Sequence, residues 1–324
     1  MPAPATGWVR ETRVSTPQHT YWRRRLALLG ILALVIVGAA AVLGGGGSEP
    51  QRTAVDDAAV PPPPPELPRG GRSILPEFRV VAYYGAPQSR ELGALGIGSP
   101  RGAAHRLERQ ARPYGAKARP VLPALELITV IANADPGDDG MYRSRQRDTV
   151  IRRYLRAARR AKALLLLDIQ PGRSDFFTEA TRLEKWLNEP DVSLALDPEW
   201  RVQEGEVPGQ VIGHVGAREV NATSAWLAQL VAEHNLPEKL FVVHQFTDNM
   251  VDEKRLKTRD GLATVLNVDG FGDRANKKAK YRDFTRQAPD AYHGIKLFYE
   301  EDTNLMRPRQ VLRLRPKPFL VVYE

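Results

Sequence analysis

The stretch Val192-Ser193-Leu194-Ala195-Leu196-Asp197-Pro198-Glu199-Trp200 passes from a short, largely apolar run directly into two carboxylates around a proline. Five such residues without a helical period read as a strand covered on both faces. Asp197 and Glu199 stand two apart, so in extended backbone both side chains leave the same side. Asp-Pro-Glu is also a good helix start, with Asp197 as cap and Pro198 in the first turn. Which role it plays depends on how many similar runs surround it.

Seven more runs have this character: Phe78–Tyr84, Leu125–Ala132, Ala163–Ile169, Leu240–Phe246, Leu262–Val268, Gly294–Tyr299 and Pro318–Tyr323. Amphipathic segments lie between them. In 142–162, Val150, Ile151, Tyr154, Leu155 and Ala158 form one apolar stripe, and nine Arg and Lys residues fill the rest. Helices are also expected over 174–188, capped at Ser174-Asp175, over 218–235 and 273–286, and in short form near 250–257 and 307–312. Strands alternating with helices specify an α/β fold. Eight strands in about 250 residues match a (β/α)8 TIM barrel. The alternative, an open doubly wound sheet, wants a glycine-rich turn after its first strand, and "GALGIGSPRG" (93–102) has other spacing. No helix follows the eighth strand before Glu324, so residues 66–77 are expected to cover that flank.

Three segments precede this barrel domain, 73–324. Residues 1–25 form a basic arm ending in Tyr21-Trp22-Arg23-Arg24-Arg25. Residues 26–43, "LALLGILALVIVGAAAVL", carry no charge and reach the length of a bilayer-spanning helix. The cations before them place the N-terminus in the cytoplasm and the barrel outside, as a single-pass signal anchor in the cell membrane. A cleaved secretory signal is the alternative, with the small residues Ala39-Ala40-Ala41 at its end. Residues 44–72 join a glycine run to a proline run, a linker that holds the domain off the membrane.

The chain has no cysteine, which excludes disulfides, thiolate metal sites and a cysteine nucleophile. Its formal net charge of +9 favours anionic partners. The Arg-rich helix 142–162 is the segment expected to meet anionic wall polymer or lipid headgroups. No interleaved aromatic and basic motif suggests nucleic acid, and no P-loop or G-x-S-x-G motif occurs. His214, His244 and His293 lack paired metal-ligand spacing, so neither a metal nor another cofactor is expected.

In a barrel, chemistry gathers where strands end. Those ends carry Tyr84, Asn133, Asp168, then Asp197 with Glu199 and Trp200, then His244-Gln245, Asp269, and Tyr299-Glu300. Neighbouring carboxylates resist joint ionisation, which suits one of them to proton donation. Trp200 offers a flat face for a sugar ring. A proton donor with a second carboxylate is the equipment of glycoside hydrolysis.

On these strand-end acids the chain resembles the TIM-barrel glycoside hydrolase superfamily. "LDPEW" (196–200) is similar to the Asp-x-Glu strand-four motif of muramidase-like and chitinase-like barrels. The resemblance implies Glu199 as proton donor and Asp197 as its helper, with Asp168 or Glu300 as further catalytic carboxylates. Tyr84, Asn133, Trp200, His244, Gln245, Asp269 and Tyr299 would bind a cell-envelope or environmental polysaccharide. Where the muramidase pattern has an Asp on strand one, this chain has "AYYGAP" (82–87). A carbohydrate-binding barrel without catalysis, serving as an envelope scaffold, is the alternative.

Overall fold

The computed structural model describes residues 63–324. The arm 1–25, the apolar segment 26–43 and most of the linker 44–72 therefore lie outside the described residues. Among the described residues, no helix is long and apolar enough to cross a membrane.

Eight parallel strands form the core: β1 Arg79–Gly85, β2 Val121–Ala132, β3 Leu164–Ile169, β4 Val192–Leu196, β5 Lys239–Gln245, β6 Leu262–Val268, β7 Tyr292–Leu297 and β8 Leu320–Tyr323. Each pairs with its successor, and β8 pairs with β1, so the sheet closes into a barrel. The helices are α1 Pro100–Ala111, α2 Asp148–Arg160, α3 Phe176–Thr181, α4 Glu184–Leu187, α5 Ala217–Glu233, α6 Arg274–Gln287 and α7 Pro308–Val311.

Strand alternation divides the core in two. Val80, Ala82, Leu122, Ala124, Leu164, Leu166, Ala195, Leu240, Val242, Ala263, Val265, Leu320 and Val322 fill the lumen. Val81, Leu125, Leu127, Leu165, Leu167, Leu194, Phe241 and Val243 face outward, in the layer that includes the helices. Leu67, Ile74, Leu75 and Phe78 belong to the luminal cluster. Arg72 donates to the carbonyls of Asn235 and Leu236, and Glu238 accepts from the Leu75 amide at 2.9 Å. The segment expected to flank β8 thus closes the N-terminal end of the barrel instead. The outer face of β8 is covered from elsewhere: Tyr299 stacks on Tyr323 at 5.2 Å, and the Tyr114 hydroxyl meets that of Tyr323 at 2.6 Å.

Four elements differ from the sequence reading. The helix expected from residue 142 starts at Asp148, because Arg143–Arg145 pairs antiparallel with the end of β2. The buried Glu179 carboxylate holds this hairpin, accepting from Arg143 and Arg145 at 2.6–2.9 Å and from Ser174 at 2.6 Å. The segment 174–188 forms two short helices, α3 capped by Asp175 and α4. Between 250 and 257 only a single 3-10 turn forms, Glu253–Arg255. Helix α1 was not anticipated; Ser99 caps it and Pro100 occupies its first turn.

Candidate active site at the C-terminal mouth

The luminal alternation continues to the C-terminal rim, where it changes from apolar to polar on every strand. Ala82 gives way to Tyr84, Ala124 to Glu126, Leu166 to Asp168, Ala195 to Asp197 and Val242 to His244. Val265 is followed by Asn267 and then Asp269, Gly294 by Lys296, and Val322 by Glu324. Eight strands therefore aim polar groups into one end of one lumen.

Two groups of contacts organise this ring. In the first, the Tyr84 hydroxyl lies 3.3 Å from Asp168 Oδ2 and 3.2 Å from Asp197 Oδ2, and accepts from Gln170 Nε2 at 2.9 Å. In the second, His244 stands between two carboxylates. Its Nδ1 is 3.0 Å from Asp269 Oδ2, and its Nε2 is 3.0 Å from Glu126 Oε1 and 3.9 Å from Asp168 Oδ1. Lys296 Nζ continues the chain, 3.1 Å from Asp269 Oδ2 and 2.8 Å from Glu324 Oε2. The same ammonium sits 3.6 Å from the centroid of the Tyr84 ring, linking the two groups by a cation–π contact.

Burial and charge then set the protonation. Asp168 is fully buried; desolvation, followed by the nearby Asp197 charge, pushes its pKa well above the carboxylate range. Burial opposes a charge on His244, but its bonds to Asp269 and Glu126 outweigh that and raise its pKa well above the imidazole norm. Burial also opposes ionisation of Asp269, yet the Lys296 and His244 charges hold it far below the usual carboxylate range.

Glu126, Asp168 and His244 are the described residues whose donor atoms are placed to hold a metal ion, all within 4.8 Å of one another. The Glu126 Oε2 and Asp168 Oδ1 atoms are buried without a hydrogen-bond partner.

Of the residues singled out from the sequence, Tyr84, Asp168, Asp197, His244 and Asp269 meet in this ring. Asp197 holds the N-cap position of the 3-10 turn Pro198–Trp200 but makes no side-chain cap bond there, and its carboxyl turns to Tyr84. Glu199 and Trp200 are buried on that turn, with the Glu199 carbonyl accepting from the Gly213 amide. Asn133 lies beyond the ring, its amide bonded to the Tyr142 carbonyl in the β2 hairpin. Gln245 alternates to the outer face of β5, and Tyr299 packs outside the barrel on Tyr83 and Tyr323. Glu300 is exposed on the turn after β7. His293 bonds the Ala288 carbonyl and His214 is exposed, so the three histidines do not converge.

Sequence reading missed Glu126 and Lys296. β2 runs past the barrel rim into the hairpin, with a register shift between Ile128 and Val130. Glu126 lies opposite Tyr84 and Leu166 and is therefore at the mouth, although it sits in mid-strand. Counting in twos from the apolar luminal positions, rather than looking at strand ends, finds both residues. No protein-family model matches the chain, and no curated protein matches it.

Proposed function

We propose that the mouth of the barrel is the catalytic centre of a membrane-anchored, extracytoplasmic glycoside hydrolase acting on cell-envelope or environmental polysaccharide. The observation that carries this reading is the approach of Asp168 and Asp197 to one hydroxyl. A phenol has a single hydrogen to donate. Gln170 already donates to the Tyr84 oxygen, so Tyr84 satisfies one carboxylate and accepts from the other only if that carboxyl carries a proton. The arrangement suits a pair that holds one proton, the combination of acid and carboxylate that glycosidic cleavage needs.

The spacing supports a particular stereochemistry. Two oxygens that each lie within 3.3 Å of one atom cannot exceed the lower end of the roughly 6.5–9.5 Å that inverting enzymes leave for a water. The closer arrangement belongs to retaining enzymes, in which one carboxylate forms a glycosyl intermediate and the other serves as acid and then base. Glu199 and Trp200, next to Asp197 on the rim, are the groups nearest in sequence to guide the sugar.

The rest of the chain fits an envelope location. The apolar segment 26–43 supplies the membrane anchor and leaves the barrel outside. Arg152, Arg153, Arg156 and Arg160 are exposed on α2, a face suited to anionic wall polymer or lipid headgroups.

The test is release of reducing ends from envelope polysaccharides by the full chain and by Asp197→Asn. Release by the wild type that falls by roughly 10²–10⁴ in the variant supports the hydrolase. Binding of polysaccharide by both proteins with release by neither would replace it with the scaffold reading.

A further inference from the structure

We propose that Glu126, Asp168 and His244 form a binding site for one divalent transition-metal ion, of the zinc or manganese class, beneath the mouth of the barrel. One donor atom from each residue lies within 4.8 Å of the others. Zinc takes carboxylate oxygens and imidazole nitrogens at about 2.0–2.2 Å, so two ligands of one ion stand up to about 4.4 Å apart. The His244 Nε2 to Glu126 Oε1 distance of 3.0 Å and the Nε2 to Asp168 Oδ1 distance of 3.9 Å already fall inside that limit.

Independent of this clustering, two atoms ask for a partner. Glu126 Oε2 and Asp168 Oδ1 are buried with no hydrogen bond, and both side chains are fully inaccessible to solvent. A buried carboxylate oxygen left unpaired is costly, and buried charges are ordinarily paired or bound to a metal. His244 cannot supply both needs, because its Nε2 already faces Glu126 Oε1.

The surroundings of the histidine suit a ligand. Asp269 accepts from Nδ1, the carboxylate–histidine arrangement that orients a metal-binding imidazole, and a cation at Nε2 displaces the proton between that nitrogen and Glu126, so binding releases a proton. One nitrogen with two carboxylates favours zinc or manganese over calcium and magnesium, which prefer oxygen alone. Three protein ligands leave coordination positions for water or a sugar hydroxyl. A cation here uses Asp168 Oδ1 and leaves Oδ2 against Tyr84; Asp168 is then ionised, and the one proton of the hydrolytic pair lies on Asp197.

Binding is measured without substrate, which separates this site from the fate of the hydrolase reading. The full chain, stripped with chelator, is titrated with ZnCl2 and MnCl2 by calorimetry beside Glu126→Gln and His244→Gln, with near-UV circular dichroism as the check of folding. The expected result is one equivalent of metal on the wild type and at least a hundredfold weaker binding in both folded variants. No binding by the wild type overturns the site, and so does unchanged affinity in the folded variants, the behaviour of adventitious surface histidines. Should neither variant fold, Co2+ absorption on the wild type decides. A visible band titrating to one equivalent and displaced by one equivalent of Zn2+ supports the site, and its absence refutes it.

Discussion

Asp168 and Asp197, carried by neighbouring strands, direct one carboxyl oxygen each to the same phenolic hydroxyl, at 3.3 and 3.2 Å. That hydroxyl belongs to Tyr84 on β1, two strands from Asp168 and three from Asp197, so the curvature of the barrel wall brings the three together. Replacing Tyr84 by Phe removes the atom on which the pair converges and leaves the ring in place over Lys296. The expected outcome is a fall in polysaccharide hydrolysis of about ten- to a hundredfold, smaller than for Asp197→Asn, because positioning is lost while both carboxyls remain. Initial rates at saturating and limiting substrate measure it; a variant as active as wild type would remove Tyr84 from the site.

Glu179 joins the β2 hairpin to α3 through Arg143 and Arg145. The Arg143 side chain is only 8% exposed and Glu179 is fully buried. Glu179→Ala removes both carboxylate bonds of Arg145 and one of the two on Arg143, which keeps Asp139, and is expected to cost about 1–3 kcal/mol in denaturant unfolding. Glu179→Gln keeps an acceptor and should cost less. Equal and small losses would show that the ion pairs contribute little.

Gly294 lets the Asn267 side chain approach the inner wall of β7: a Cβ there would stand 2.5 Å from Asn267 Oδ1 and 3.0 Å from Leu320 Cβ. Gly294→Ala is expected to destabilise the barrel by about 1–3 kcal/mol, as overpacking does. It should also displace Asn267 from His244, visible as a shift of the His244 ring resonances. A variant as stable as the wild type, with those resonances unmoved, contradicts the packing.

Lys239 places its ammonium against the carbonyls of Glu189 and Val192 at the N-terminal end of β5. Burial lowers its pKa to about 7, with the Asp191 and Glu189 charges pulling the other way. Below that pH the lysine is charged both folded and unfolded, and the cost of burying the charge is felt in full. Between about pH 7 and 10 the unfolded chain still holds the proton that the folded one has released, so this contribution to stability rises with pH. The stability of wild type relative to Lys239→Met should therefore increase from pH 7 to pH 10. A difference that stays flat across this window would contradict the burial effect.

Much of the barrel was legible because buried parallel strands announce themselves as apolar runs: β4 and β6 have the bounds read from sequence, and the other strands start or end within a few residues of them. Asp168, Asp197 and His244 were legible because each ends or follows such a run. Glu126 and Lys296 were hidden by register. β2 continues past the rim, and its functional level is set by its partners β1 and β3, which sequence position alone does not reveal. Glu300 and Tyr299 looked equally placed, but β7 ends at Leu297 and they lie on the turn beyond it. The closure of the barrel floor by Ile74 and Leu75 was likewise invisible, since it depends on Glu238 from the far side of the fold.

Cleavage of a glycosidic bond by the Asp168–Asp197 pair is tested most directly by proton NMR of the anomeric signals in the first minutes of polysaccharide hydrolysis by the full chain. The spectrum reports both the reaction and the spacing of the two carboxyls. A first product with the anomeric configuration of the substrate is the expected result. An inverted first product, or no sugar released by folded protein, would contradict it.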